Sequence, residues 1–488
     1  MIIKSRFLLP KALAVQQKKE KTGKRELCLV IIILVMLFQA NDLFSDEITW
    51  DLAESRSFGK MIVPGLIASG ETLLGNAIPI LFNGLVMRFG WSYPTATSIR
   101  KNFSEPWDWD DTDDFLVNQI GHSYHGHWYF GAGRINGFGF YSSLFFSALG
   151  SFTWEAFCES NHASISDLIT TVSGSMATGE ILYRLYDEAF AAGIPVPFLL
   201  VLNPIVAFHN LLSGAKPVHS AGNLYQFGAS LGAGYVKTQY DASDGHPDLF
   251  HDSGFYADIA FGLIYGNPFE QDTWVPYRHF ELDGYVGMNP GRYVGLRIIS
   301  DGYLFSFSPL YSGSDTMSTG LSLHLDYNQL GEFSFTDSTI NHFNNALDWT
   351  MKYRHLFSQH TNVQIKMHAG FTFNGASKYY LPGRQNEELN NFGYGINAKT
   401  YFRLELMERN MLELSGFFYI LWTFPGTSEF SHGNVIWWFG DLTYSFAVAK
   451  HVSLGAAASY ASEQGTFSGF PDTKKRNIAA KMFVAWNL

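Results

Sequence analysis

The stretch VQIKMHAGFTF, residues 363–373, decides how this chain folds because its side chains alternate strictly in polarity. Ile365 and Met367 fall on one face of an extended chain, and Gln364 and Lys366 fall on the other. Since successive side chains of a β-strand point to opposite faces, this period of two predicts a strand with one apolar and one polar face.

The same alternation recurs in twelve segments from about residue 223 onward. They start near Tyr225, Phe255, Phe280, Val294, Gly320, Leu347, Val363, Tyr394, Met411, Val435, Val452 and Ala479. Each runs about ten residues, the length that crosses a bilayer at a tilt, whereas strands of a soluble sandwich usually have about five or six. An even count suits a single-chain barrel. We therefore predict an α+β protein with an N-terminal helical domain followed by an antiparallel transmembrane β-barrel of about 12 strands, over residues 216–488.

The register of the predicted strands assigns their faces. Leu323, Trp349 and Ile365 are expected to face lipid, and the aromatic residues near the strand ends to form interfacial girdles. These aromatic residues are Phe417, Phe418, Tyr419, Trp422, Trp437, Trp438 and Phe439. The charged residues expected in the lumen are Arg297, Asp348, Lys352, Arg354, Lys366, Lys399, Arg403 and Glu405. Both signs of charge are present, so no ion selectivity follows, and side chains are expected to fill much of the lumen.

The N-terminus indicates export. A basic stretch at residues 18–26 precedes an apolar run at residues 27–38, which is typical of a signal peptide, here residues 1–45. The alternative is an uncleaved anchor, although twelve residues are short for spanning a bilayer. Removing residues 1–45 lowers the net charge from −11 to −16, which disfavours nucleic acid as a partner. The expected location is the cell outer membrane, with outer-membrane lipid and the barrel assembly machinery as partners.

Residues 46–215 lack the period of two. Residues 46–113 are expected to form a linker and an apolar helix that includes Glu71, and residues 114–215 a helical domain. Because a charge at the centre of a membrane helix costs about 3 kcal/mol, the apolar helix is predicted to lie against protein, at the barrel mouth or on the membrane surface.

Polar residues inside the helical domain are predicted to form a structural cluster: Asn118, Arg134, Ser164, Asp167, Glu180 and Arg184. Ser164 and Asp167 have the spacing of a capping box, which starts a helix. Glu180 and Arg184 have the i, i+4 spacing of a helical ion pair. Gly174 and Gly179 would allow another helix to approach closely.

Ordered motifs of this region resemble those of a bacterial family. They are N-Q-x-G-H (118–122), G-x-x-Y-F (126–130), R-x-N-G (134–137), G-S-x-x-W-E (150–155), Glu159, S-I-S-D-L (164–168), T-x-x-G (171–174) and G-E-x-x-Y-R (179–184). The region resembles DUF3943, a domain of unknown function whose family members usually carry a downstream β-rich portion. The family's His is typically followed by Pro, where this chain has Ser123. The resemblance implies a helical domain before the barrel and implies no activity.

Three interpretations of the histidine-rich stretch remain open. His122, Glu155 and Glu159 could form a catalytic acid–base site, because a buried carboxyl group has the raised pKa that such chemistry uses. With His125 and His127 they could bind a metal ion, but the spacing matches no metal motif, and we predict neither metal nor cofactor. In the structural interpretation, His122 and Arg134 pair with Glu155 and Glu159, since buried charges must be paired.

Two functions follow from these interpretations. In the first, the protein is an outer-membrane barrel with a periplasm-side helical domain and a structural, assembly or transport role for an unknown envelope partner or substrate. In the second, the helical domain modifies envelope lipid or glycan.

Overall fold

A computed structural model describes residues 58–109, 113–214, 222–242, 250–269, 272–289, 293–331, 340–380, 388–425 and 432–487. The predicted signal peptide lies outside these residues. The chain divides into a helical unit (Met1–Asp113, His122–Ser175, Asn203–Ala215) and a barrel unit (Asp114–Gly121, Met176–Leu202, Lys216–Leu488). The residues predicted as one helical domain, 114–215, are thus divided between the two units.

The described part of the chain before the strands contains seven α-helices. They are α1 (Phe58–Leu81), α2 (Ala96–Ser104), α3 (His122–Ile135), α4 (Phe140–Phe157), α5 (Ile165–Ala191), α6 (Val196–Leu202) and α7 (Pro204–Ser213). Local sequence explains several helix ends. Thr95 and Ser98 form a reciprocal capping box before α2. Asn203 caps α7, which has Pro204 in its first turn and ends at Gly214 in the left-handed conformation.

Twelve antiparallel strands close into a barrel, which confirms the predicted fold class. They are β1 (Leu224–Ala242), β2 (Phe250–Tyr265), β3 (Phe280–Asn289), β4 (Tyr293–Tyr311), β5 (Asp315–Gly331), β6 (Ile340–Ser358), β7 (Thr361–Tyr380), β8 (Glu388–Leu406), β9 (Asn410–Thr423), β10 (Gly433–Ala449), β11 (Val452–Phe467) and β12 (Thr473–Asn487). Each strand pairs with its sequence neighbours, and β1 pairs with β12 to close the cylinder.

The two ends of the barrel differ in their connections. Two or three residues join β4 to β5, β6 to β7, β8 to β9 and β10 to β11, so we name this the turn end. At the opposite, loop end, five of the six connections have five to nine residues, and the β3–β4 connection has three. The longest connection, residues 266–279 between β2 and β3, lies at the turn end. Eleven strands have 14 to 20 residues, more than the ten or so predicted, because several begin or end beyond the alternating segments, toward the loop end.

The outer wall is not uniformly exposed. Trp349 is 49% exposed, as expected for a lipid-facing side chain, whereas Leu323 on the neighbouring strand is fully buried. Nearby on the same strand, the Tyr327 ring packs at a tilt against Phe115, and Lys378 of β7 lies 3.9 Å from Asp114. Residues 114–121 of the barrel unit therefore pack on the outer wall toward the loop end. The expectation that Leu323 faces lipid is wrong, because the chain itself covers this part of the wall.

Candidate functional site

His122, the first residue of α3, faces the beginning of α5. Its Nδ1 lies 3.2 Å from Thr171 Oγ1, and its Nε2 lies 3.9 Å from Asp167 Oδ2. His122 and Asp167 are both buried, so they hold a polar contact inside an apolar helix crossing. The histidine motif and the S-I-S-D-L motif thus meet in space, although about forty residues separate them along the chain.

Ser164 caps α5, as its spacing predicts. Its Oγ accepts a hydrogen bond from the Asp167 backbone N–H at 3.3 Å. In a capping box the acidic residue would accept from the cap's own N–H. Here the Ser164 N–H donates to Glu155 Oε2 at 2.8 Å, so a residue of α4 completes the cap. Glu155, which is 2% exposed, thereby ties the end of α4 to the start of α5.

Glu159 follows the end of α4 and has the most perturbed carboxyl group of this region. Its pKa is raised to about 7, mainly by burial and also by the nearby Asp167 and Asp113, against the opposing influence of His122 and of the Trp154 hydrogen bond. Trp154 donates its indole N–H to Glu159 Oε1. His122, Glu159 and Asp167 therefore form one electrostatically linked set. A carboxyl group with a pKa near neutrality can act as an acid or a base.

The three histidines of the opening motif do not converge. His125 Nε2 lies 3.1 Å from the Gly75 carbonyl and 2.8 Å from the Tyr129 hydroxyl, and burial lowers its pKa to about 3. His127 Nδ1 contacts the Tyr124 carbonyl of its own helix. These contacts give the three rings separate partners, which does not suit a shared metal ion. Among the described residues, the cluster whose ligand atoms lie close enough for a metal is Asp301, His324 and His368, in the barrel.

The remaining residues predicted as a structural cluster are spread over both units. Arg134 donates to the Phe138 carbonyl at 2.8 Å, beyond the end of α3. Arg184 donates to Glu180 Oε1 at 2.9 Å, the i, i+4 pair that the spacing predicts. Arg184 also donates to the Pro276 carbonyl at 3.2 Å, which ties α5 to the turn end. Asn118 is fully buried in the barrel unit.

A network of ion pairs crosses the barrel lumen. Lys352 Nζ lies 2.6 Å from Glu281 Oε1, and Lys366 Nζ lies 2.5 Å from Glu281 Oε2. Both ammonium groups also lie 3.4 Å from the carboxylate of Asp301. Further along the lumen, Lys399 binds both carboxylate oxygens of Asp326, at 2.8 and 3.0 Å. The eight charged residues predicted for the lumen all take inward positions on their strands.

Three acidic partners in this network were missed by the sequence analysis: Glu281, Asp301 and Asp326. Asp326 was visible as a polar position in the alternating run GLSLHLDY, residues 320–327, but was not expected to pair. Asp301 lies in RIISDGY, residues 297–303, where the strand carries no clear alternation. The pairing register of β4 is regular through Tyr303, so Asp301 faces the lumen although Ile299 on the same face of the strand is apolar.

An aromatic cluster fills the lumen toward the loop end. Phe417 and Tyr419 of β9 and Trp437 and Phe439 of β10 are nearly fully buried inside the barrel. Their neighbours Phe418 and Trp438 face outward, and the two outward rings lie 4.2 Å apart. The prediction that all these aromatic residues form interfacial girdles is therefore wrong for the four inward ones, because a strand sends alternate side chains to opposite faces. We name these four residues the lumen seal.

Toward the turn end the lumen opens into a cavity of about 520 Å³. Its lining includes ion-paired residues: Glu281 with Lys366, and Arg297 with Asp441 at 3.0 Å. Ser453 and Asn487 also line it, so the cavity reaches the turn-end rim. A volume of this size is typical of a site for one small molecule.

Residues 106–193 match the family model described as "Domain of unknown function (DUF3943)". This match confirms the resemblance. No curated protein matches the chain.

Solved structures similar to this chain are barrels. One is the NanC porin, with 8% identity, a TM-score of 0.25, and coverage of 52% of this chain and 100% of the porin. A FadL homologue from Pseudomonas aeruginosa has 9% identity and a TM-score of 0.25, covering 54% of this chain and 90% of the homologue. The P. putida toluene transporter TodX has 8% identity and a TM-score of 0.23, covering 55% of this chain and 90% of TodX.

Proposed function

We propose that this protein is an outer-membrane β-barrel that admits a small polar solute into the turn-end cavity and is closed to free diffusion by the lumen seal. The observation that carries the proposal is the division of one lumen into the aromatic lumen seal and an ion-paired cavity. The barrel assembly machinery would insert the chain, as for other barrels of this membrane.

The outer surface supports a membrane location. Large apolar side chains on the outer wall are left in contact with the surroundings: Leu231, Ile259, Leu414, Trp438, Leu442 and Met482 are each about half exposed or more. An outward apolar band on a closed barrel is what hydrocarbon requires, because lipid cannot satisfy an open sheet edge. The four tight turns at one end also match barrels of this class.

The lining supports a polar solute as the occupant. Cations and anions of the cavity neutralise one another, as in the Arg297–Asp441 pair, so the site offers hydrogen-bond donors and acceptors without a strong net field. Tyr256, Tyr285 and Tyr401 add aromatic faces with hydroxyl groups. This mixture favours an uncharged or zwitterionic polar molecule over a simple ion or a hydrocarbon.

Liposome swelling with purified protein tests the role of the lumen seal. The variant F417A/F439A removes two inward rings that are directly paired across β9 and β10. We expect the wild-type protein to pass arabinose and glycine slowly and the variant to pass them at least several-fold faster. The matched control, F418A/W438A, removes two outward rings from the same pair of strands. Free permeability of the wild type, or equal effects of both variants, would contradict the proposal.

A second candidate function is acid–base catalysis in the helical unit, acting on envelope lipid or glycan. The observation that favours it is the linked set of His122, Glu159 and Asp167, with a Glu159 pKa of about 7. In this candidate, the Glu159 carboxyl group would transfer the proton, and the Trp154 indole N–H would hold the resulting carboxylate in place.

The variant E159Q separates catalysis from packing. It keeps the acceptor for the Trp154 indole but cannot exchange a proton. If the site is catalytic, E159Q should reach wild-type abundance in the membrane. It should nevertheless fail to complement the envelope phenotype of a strain that lacks the gene. The control E105Q changes an exposed glutamate of the same unit. Full complementation by E159Q would exclude this candidate.

A further inference from the structure

Between Met61 and Leu81, helix α1 turns its charged and amide side chains, Glu71 and Asn76, into the helical unit. Glu71 Oε1 lies 2.6 Å from His209 Nδ1, and its Oε2 accepts from Asn136 at 2.6 Å. Asn76 donates to Thr153 Oγ1 at 2.8 Å and is nearly fully buried. The Glu71 carboxylate, whose charge disfavours membrane contact, therefore faces the interior of the unit and has polar partners there.

The hydroxyl groups of α1 are satisfied by the helix itself. Ser69 Oγ donates to the Gly65 carbonyl at 2.8 Å, and Thr72 Oγ1 donates to the Ala68 carbonyl at 2.8 Å. Beyond the helix, the Tyr93 hydroxyl donates to the Gly84 carbonyl at 2.5 Å. These polar groups consequently need no water or partner protein.

The opposite face of α1 and of the π-helical turn after it is apolar and exposed. Its large side chains are Ile62, Val63, Leu66, Ile67, Leu73, Ile78, Leu81, Phe82, Leu85, Val86 and Met87. Most of the apolar part of Met61–Met87 is not buried, and by length and composition this segment could cross a membrane. The neighbouring α7 adds Phe208, Leu211 and Leu212 to the exposed apolar surface of the unit.

The composition of this face points to acyl chains as its occupant. A protein interface carries about one hydrogen bond per 100–200 Å², which this face cannot supply because its side chains are apolar. Water would leave a large apolar area exposed. At 1.5 Å per residue, Met61–Met87 is about 40 Å long, more than the roughly 30 Å of a hydrocarbon core. Apart from the paired Glu71, the charged residues nearest the segment are Lys60 and Arg88 at its two ends. Trp91 and Tyr93 follow as residues typical of a membrane interface.

We propose that α1 crosses the hydrocarbon core of the bilayer, with its exposed face against acyl chains and the region of Arg88 at the headgroups. Glu71 reconciles this position with export. In the unfolded chain its charge lowers the tendency of the segment to stop in a translocon, and in the folded unit His209 and Asn136 compensate it. The proposal concerns a lipid contact of the helical unit and does not depend on solute uptake by the barrel.

Spin-label accessibility in liposomes tests the proposal with the full-length protein. In a C28S/C158S background, a nitroxide is attached to single cysteines introduced at Leu66, Leu73 and Leu81. The K101C variant is the reference for a label exposed to water. Lys101 is an exposed residue of α2. Oxygen partitions into lipid and the nickel complex NiEDDA into water, so their collision rates identify the surroundings of each label.

We expect high oxygen and low NiEDDA collision rates at the three leucine positions, with the deepest value at Leu73, and high NiEDDA collision at position 101. Low rates for both reagents at all three leucines would mean that protein covers the face, and would overturn the proposal. High NiEDDA collision there would mean water and would also overturn it. Equal shallow depth at the three positions would show a helix lying in the interface and would refute the crossing. Retained heat-modifiable migration shows that each variant is folded.

Discussion

Lys352 of β6 places its ammonium group 2.6 Å from Glu281 Oε1 on β3, so an ion pair joins two strands that are not neighbours in the barrel wall. Lys366 of β7 binds the other oxygen of the same carboxylate. The backbone ladders hold the wall together, but these side chains fix one side of the barrel to another. The lumen network therefore restrains the cross-section of the barrel and also makes this part of the lumen polar.

Replacing Lys352 with Met should destabilise the barrel, because Glu281 and Asp301 lose one of their two shared cations. Breaking a buried pair by removing one partner costs roughly 3–5 kcal/mol. The expected result is a lower temperature at which the heat-modifiable band disappears from detergent gels. The control K450M removes an exposed lysine from the turn between β10 and β11 and should leave this temperature unchanged. Equal behaviour of the two variants would show that the network contributes little.

The raised pKa of Glu159 predicts a pH-dependent stability of the helical unit. Because the folded pKa is about 7, above the ordinary value near 4.3, this group's favourable contribution is complete below that ordinary value and is lost as pH rises through about 7. E159Q stays neutral, so it should be more stable than the wild type at pH 8, with a smaller difference at pH 5. Thermal unfolding, followed by near-UV circular dichroism, measures the stability of each protein at the two pH values. A difference independent of pH would contradict the assignment.

Gly174 should not tolerate alanine. A Cβ on Gly174 of α5 would lie 2.8 Å from the Ser123 Cα of α3, and backbone cannot move away as a flexible side chain would. Overpacking of this kind costs about 1–3 kcal/mol. The control G70A adds a Cβ in open space on α1, where alanine should stabilise the helix by about 1 kcal/mol. Denaturant midpoints of the two variants should shift in opposite directions, and a shift in the same direction would be inconsistent with close packing at Gly174.

Adjacent positions on β9 should respond differently to lysine. Leu414 faces outward and is 53% exposed, so L414K would place a charge in lipid at a cost of about 2–4 kcal/mol near the midplane. Ser415 faces the cavity, and its Oγ lies 3.4 Å from Asp441 Oδ2, so S415K gains an acidic neighbour. Folding titrations into lipid vesicles compare the two. If S415K proved as damaging as L414K, the assigned faces of β9 would be wrong.

Periodicity predicted most of the fold because each strand repeats one simple rule. The twelve predicted starting positions all lie in observed strands, and the charged residues predicted for the lumen take inward positions. The alternation along one strand does not reveal which other segments of the chain cover the outer wall of the barrel. Leu323 is predicted to face lipid, yet it is buried. On the same strand, Tyr327 packs against Phe115, a residue far away along the chain that the pattern of β5 cannot reveal.

The candidate sites were less predictable because their partners come from different elements. Local spacing was sufficient for the Ser164 cap and the Glu180–Arg184 pair. It could not show that the Ser164 N–H bonds to Glu155, or that His122 faces Asp167, since these contacts depend on how the helices cross. In the barrel, Glu281 and Lys352 become neighbours only after the sheet closes.

The seam between β1 and β12 has a consequence for the order in which the barrel folds. It pairs Gly228 with Asn487 and Ala242 with Thr473, whereas the other eleven ladders join strands that are consecutive in sequence. Consecutive hairpins can form locally, but closing the longest loop has the largest entropy cost and comes last. Until then the nascent sheet presents two unpaired edges, which would pair with those of other chains. A folding chaperone that shields these two edges would protect the protein during its most aggregation-prone stage.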